Sequence, residues 1–122
     1  MEILEELEFT KESYEILLPL VLIILDVLTG LIKAWVNNSL SSKKMREGLG
    51  HKAGEIVIII IGFLCNLCLG LHGIYLLAVV YICLMETLSV LENVTELGFP
   101  IPKIVKEKIN KILNRINDEE GE

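Results

Sequence analysis

From Ile56 to Met85 the chain runs for thirty residues without a single Asp, Glu, Lys or Arg. As a helix, such a run is about 45 Å long at 1.5 Å per residue, more than one bilayer crossing needs. It must cross twice or lie partly buried in protein. The stretch LGLHGIY divides it best, because Gly70, His72 and Gly73 suit a tight turn between two helices. This places a turn at 72–73 between spans at 54–71 and 74–94. A second apolar run, 16–36, is long enough for one more crossing, yet it contains Asp26 and Lys33.

The composition agrees with lipid as the solvent. Of 122 residues 52% are hydrophobic, mean hydropathy is +0.58, and the apolar residues are gathered into long runs. The expected fold is an all-α integral membrane protein with three transmembrane helices and a C-terminal amphipathic helix. The opening MEILEELEFTKESYE is acidic, with Lys11 its only basic residue, whereas a secretory signal begins with a basic region. The first apolar run is therefore expected to be retained, behind an acidic segment at 1–15.

Between the first two spans lies a polar, basic connector at 37–53. After the third span, Gly98, Pro100 and Pro102 break the chain within a segment at 95–117, whose run from Lys103 to Asn117 reads as an amphipathic helix. Val105, Ile109, Ile112 and Ile116 follow one another at four-three-four spacing along it. Lys103, Lys106, Lys111 and Arg115 accompany this seam, which suits either an anionic membrane surface or pairing with a second copy. Residues 118–122 read as a disordered acidic tail. With three spans, the connector and the C-terminal segment share one side and hold nine of the basic residues, Lys52 among them. The positive-inside rule then puts the N-terminus outside and the C-terminus in the cytoplasm. A two-span arrangement with the first run outside the membrane gives the same count; hydrophobicity favours three.

The informative residues are the polar ones in apolar surroundings. Asp26, Thr29, Gly30 and Lys33 stand at i, i+3, i+4 and i+7, one face of a helix. An ionisable group at mid-membrane costs at least about 2.5 kcal/mol, so this face turns to protein or water. Either Lys33 anchors the helix end and Asp26 pairs with it, or the stripe faces water or a neighbouring subunit. Glu86, Ser89 and Asn93 form a matching face on the third span, and a Lys33–Glu86 pair within or between subunits is compatible with their depths. On the second span Gly62, Asn66 and Gly70 recur every four residues, a seam that lets helix backbones approach.

Catalytic chemistry finds little support. His51 and His72 have no convergent acid or nucleophile. Cys65, Cys68 and Cys83 lie in apolar segments and read as small apolar residues, although CNLC has redox spacing. The NVT at Asn93 falls at the cytoplasmic membrane edge, away from glycosylation. No enzyme activity, cofactor, metal or nucleic-acid partner is expected.

Two stretches resemble a known family. LDVLTGLIKAWVNNSLSSKKMREGLGHKAGE is similar to the first signature of the phage lysis and toxin-secretion holins: an Asp, a Thr-Gly pair and a Lys-Ala pair end the first span, and a Ser-Lys connector leads to a Gly and a Lys. METLSVLENVTELGFPIPKIVKEKI resembles their C-terminal signature. The resemblance covers roughly residues 25–113; departures lie mainly in the second span, where family members often carry a polar or acidic residue and Asn66, with no carboxylate, is the only candidate. It implies a small protein that homo-oligomerises in the host cytoplasmic membrane and opens non-specific lesions. Its cargo is a cell-wall hydrolase (endolysin) or a large toxin, which need not bind it directly. The competing classes are a small ion channel or transporter subunit, with Asp26 and Glu86 binding a proton or cation, and a non-pore membrane scaffold.

Overall fold

The structure, a computed structural model, describes residues 11–120. Four helices account for most of them: α1 (Lys11–Val36), α2 (Ser42–Leu69), α3 (His72–Glu96) and α4 (Lys103–Glu120). The first three are each long and apolar enough to cross a membrane. Residues 1–10 of the expected N-terminal segment and 121–122 of the expected tail lie outside the described residues.

Local chemistry sets the helix ends. At the end of α1, Asn38 takes a left-handed conformation with φ 56°, and the Ser39 amide donates to the Ala34 carbonyl at 2.8 Å. Asn tolerates this conformation better than most residues, and the bond satisfies a carbonyl that the helix would leave orphaned. Ser41 then caps α2, its hydroxyl accepting from the Lys44 amide at 3.4 Å. Gly70, with φ 68°, ends α2, and its amide donates to the Asn66 carbonyl at 2.9 Å. Gly98, with φ 99°, follows α3, where the Phe99 amide reaches back to the Val94 carbonyl at 3.2 Å.

Three boundaries differ from the sequence expectation. Helix α2 begins at Ser42, so most of the connector is helix and only residues 37–41 join α1 to α2. The polar composition of 42–53 disguised it, although the Ser41 cap marked its start. The turn falls at Gly70–Leu71 instead of 72–73, because the left-handed cap sits on Gly70 and His72 already belongs to α3. Helix α4 continues through residues 118–120, which the acidic composition had suggested were disordered.

Helix α3 is central, packing most extensively on α1 and then on α2, while α1 and α2 touch each other less. The facing strips have spacings of three and four: Pro19, Ile23 and Asp26 on α1; Glu55, Ile59 and Gly62 on α2; Tyr75, Val79, Ile82, Glu86 and Asn93 on α3. Ile23, Ile59 and Ile82, one from each helix, meet as an apolar cluster flanked by Ile16 and Ile56. Pro19 lacks the amide that would complete its helical turn, a loss that membrane helices tolerate when neighbouring groups compensate. The outer sides are apolar, with Ile24, Leu28, Ile58, Ile61 and Leu77 exposed. In water this surface would drive aggregation; in lipid it is the solvated face.

The proposed small-residue seam divides on inspection. Gly62 is buried against α3: a Cβ added there would stand 3.4 Å from Tyr75 Cδ2 and 3.6 Å from its Cα. Asn66 is half-buried, and Gly70 serves as a cap with nothing within 4 Å of an added Cβ. Gly62→Leu is accordingly expected to push α2 from α3 and lower the melting temperature of the detergent-solubilised protein, a change of about 1–3 kcal/mol. Gly30→Ala has only ordinary contact to make, 3.6 Å to Asn93 Nδ2, and is expected to melt like the parent. Circular dichroism on heating checks both.

Helix α4 contacts α3, but by a face rotated from the expected seam. Leu113 is buried and Lys106, Ile109 and Ile116 are half-buried, whereas Val105, Ile112, Lys103, Lys111 and Arg115 are exposed. The apolar arc of α4 is wider than one contact strip, so packing on α3 covers one edge and leaves Val105 and Ile112 on the other.

Candidate functional site

The three long helices carry their charges at one level. Asp26 lies ten residues before the end of α1, Lys52 ten residues after the start of α2, and Glu86 ten residues before the end of α3. Each is therefore about 15 Å from the connector end of the bundle. Helical spacing turns all three inward, and they meet around the ammonium of Lys52.

Lys52 Nζ lies 2.5 Å from Asp26 Oδ2 and donates to both Glu86 oxygens, at 2.5 and 2.7 Å. The side chains are well enclosed: Glu86 is 2% exposed, Asp26 8% and Lys52 15%. Asn93 Nδ2 donates to Asp26 Oδ1 at 3.0 Å and to Thr29 Oγ1 at 3.1 Å, and Ser89 lies beside Asp26. The Thr29 hydroxyl donates to the Leu25 carbonyl at 2.8 Å, within its own helix. Gly30 lies beside Asn93 and leaves room for its amide.

A third carboxyl, Glu55, packs beside Glu86. Its oxygens are shut off from solvent, with His51 Nε2 at 3.1 Å and Lys52 Nζ at 3.8 Å from Oε1. The layer thus gathers three carboxyls around one lysine. With all three carboxyls ionised, the layer is two positive charges short of neutrality. An arrangement of this kind is expensive to keep dry, since each ion loses several kcal/mol of hydration that pairing must return.

The polar residues that the sequence sets on one face of the first span and one face of the third meet within one chain, with Asn93 on Asp26 and Thr29. Within one chain, Lys33 pairs with neither Glu86 nor Asp26. Lys33 lies two turns nearer the helix end than Asp26 and reaches Glu96 at 3.2 Å, while Lys52 occupies the space between Asp26 and Glu86. Lys52 and Glu55 were not singled out, because Lys52 was assigned to a connector outside the membrane. The signal was present: stepping back from Asn66 and Gly62 by three and four residues reaches Ile59, Glu55 and Lys52. The Lys33–Glu96 pair is 30% and 55% exposed, so Lys33→Gln is expected to change stability by less than about 1 kcal/mol. Thermal melting beside a Lys52 variant reveals the contrast.

A charge layer lies inside three helices long and apolar enough to cross a membrane, and no group of three His, Cys, Asp or Glu that could hold a metal is found among the described residues. Comparison with known proteins decides the family: the model described as "Bacteriophage holin family" matches residues 8–114. The chain belongs to the bacteriophage holin family. Among curated holin relatives, the "Probable holin" of Bacillus phage phi105 is 30% identical over 106 residues, covering 86% of this chain and 78% of that protein. The uncharacterized protein YqxH of Bacillus subtilis is 34% identical over 98 residues, covering 80% and 70%. An uncharacterized 14.9 kDa protein in the nagH 3′ region of Clostridium perfringens is 33% identical over 100 residues, covering 79% and 74%. No solved structure matches. The matched region contains all three spans and the entire charge layer, and this holin-family chain is a multi-pass membrane protein.

Proposed function

We propose that this holin accumulates in the bacterial cytoplasmic membrane with its charge layer closed, then homo-oligomerises into non-specific lesions in which the same layer lines water. Through them passes a folded cytoplasmic cargo, an endolysin or a large toxin, without needing a binding site on the holin. The observation that carries this reading is the Lys52 cluster: three carboxyls and one ammonium joined across three helices at one depth. Pairing permits a monomer to sit in lipid. Hydration of the separated groups returns the solvation that closure removes, so two states lie within reach of each other. Moving one charge through 100 mV is worth about 2.3 kcal/mol, so the trigger assigned in this reading is loss of membrane potential.

The orientation that accompanies this reading has the connector and C-terminus in the cytoplasm, supported by Lys43, Lys44 and Arg46 beside the connector and by the basic residues of α4. Lys52 no longer counts toward it. The test is inducible expression with and without a cytoplasmic cell-wall hydrolase that lacks a signal. Abrupt fall in turbidity only when both are made, with loss of viability from this protein alone, is the expected result. Saturable, ion-specific flux without release of the hydrolase contradicts it and favours an ion pathway.

A further inference from the structure

At the connector end of the bundle, two cavities adjoin. The first, about 520 Å³, runs between α1 and the first half of α2, from Ser41 and Lys44 to Asp26 and Lys52. The second, about 500 Å³, is walled by Ile32 and Trp35, and the two share Leu31, Leu40, Ser41 and Met45. One is charged and hydroxyl-bearing, the other apolar, and they open where α1 and α2 part. Trp35, one residue from the end of α1, stands at a level typical of aromatic side chains at a membrane interface. The combination is the shape of an amphiphile.

Charge decides which one. Of the ionic groups lining the larger cavity, Asp26 is held by Lys52 and Glu96 by Lys33. Lys44 remains, exposed, and among the described residues no carboxylate pairs with it. A zwitterionic headgroup would bring a second, cationic charge and find no free carboxylate in the cavity. An anionic one needs only the ammonium and the neighbouring hydroxyls. We propose that the paired cavities seat an anionic diacyl phospholipid from the leaflet at the connector end, its phosphate at Lys44 and Ser41 and its acyl chains along Leu31, Leu40 and Met45. This site is independent of hole formation and would exist on a closed monomer.

Trp35 is the only tryptophan of the chain and lines the apolar cavity, so its fluorescence reports what enters. The full chain is reconstituted in phosphatidylcholine vesicles containing equal small fractions of either brominated phosphatidylglycerol or brominated phosphatidylcholine, whose bromines quench nearby indole. The glycerol lipid is expected to compete for the site about fivefold better, the preference that one interfacial lysine gives. Lys44→Gln should reduce the ratio to near one and Lys44→Arg should keep it, with helicity unchanged by circular dichroism because position 44 is exposed. Lys103→Gln, on α4 and away from both cavities, should retain the full ratio. Equal quenching by the two lipids in the parent, or a preference that survives Lys44→Gln, overturns the site. A preference lost equally in Lys103→Gln overturns it as well, since that result marks a diffuse basic surface.

Discussion

Lys52→Met is expected to bring lysis forward. The substitution removes the one ammonium that, among the described residues, reaches Asp26, Glu86 and Glu55, and leaves three enclosed carboxyls to share what protons they can hold. Breaking a buried ion pair by removing one partner costs about 3–5 kcal/mol, because the other charge stays desolvated. That cost falls on the closed form alone; in a hydrated lesion water solvates the carboxyls whether or not lysine is present. The balance therefore moves toward opening by more than a hundredfold. With the amount of protein in the membrane matched, the interval between induction and the fall in turbidity should shorten, or the protein should be lethal as soon as it inserts. An unchanged interval would mean that the layer is a packing device with no part in timing.

The combined variant Asp26→Asn, Lys52→Met, Glu55→Gln and Glu86→Gln is expected to act in the opposite direction. Replacing a whole buried ionic group by neutral residues of similar volume is often neutral or stabilising by about 1–4 kcal/mol, since nothing charged is left without a partner. The closed bundle keeps its apolar contacts among Ile23, Ile59 and Ile82, and loses the groups that gain from meeting water. Lysis should be late or absent while membrane insertion is unaffected. Asp26→Ala alone belongs between these extremes, altering timing more than insertion. The two main variants share Lys52→Met yet are predicted to diverge, and that sign change separates an electrostatic switch from simple damage to the fold. Early lysis from both would remove charge from the account.

Membrane character and the three long helices were legible in the sequence because lipid imposes a blunt rule: long uncharged runs and little else. The inward faces of α1 and α3 were legible for the same reason, since Asp26, Glu86 and Asn93 are too costly to turn outward. The start of α2 was hidden because its first three turns are polar; residues 42–53 read by composition as connector, and the helix was betrayed only by the Ser41 cap. Losing that helix meant losing Lys52, the residue on which the site turns. The exchange of Lys33 for Lys52 as partner of Glu86 followed. Depth along one helix cannot reveal which of two lysines a neighbouring helix supplies when the second is assigned to the wrong element. The contact of α4 with α3 was not legible, because its apolar arc admits more than one contact strip.

The measurement that goes most directly to the central claim is water access to the charge layer before and after opening. In a background with Cys65, Cys68 and Cys83 replaced by alanine, Ser89→Cys puts a single thiol beside Asp26, while Ile24→Cys puts one on the outward, lipid-facing side of α1, where the native residue is 57% exposed. Cells are treated with a membrane-impermeant maleimide before triggering and again once hydrolase release begins. The account predicts that the thiol at position 89 is unreactive at first and becomes labelled as release begins, with the thiol at position 24 unlabelled throughout. Release of the hydrolase with position 89 still protected would contradict it, and the closed Lys52 cluster would then be a fixed part of the bundle instead of the lining of a hole.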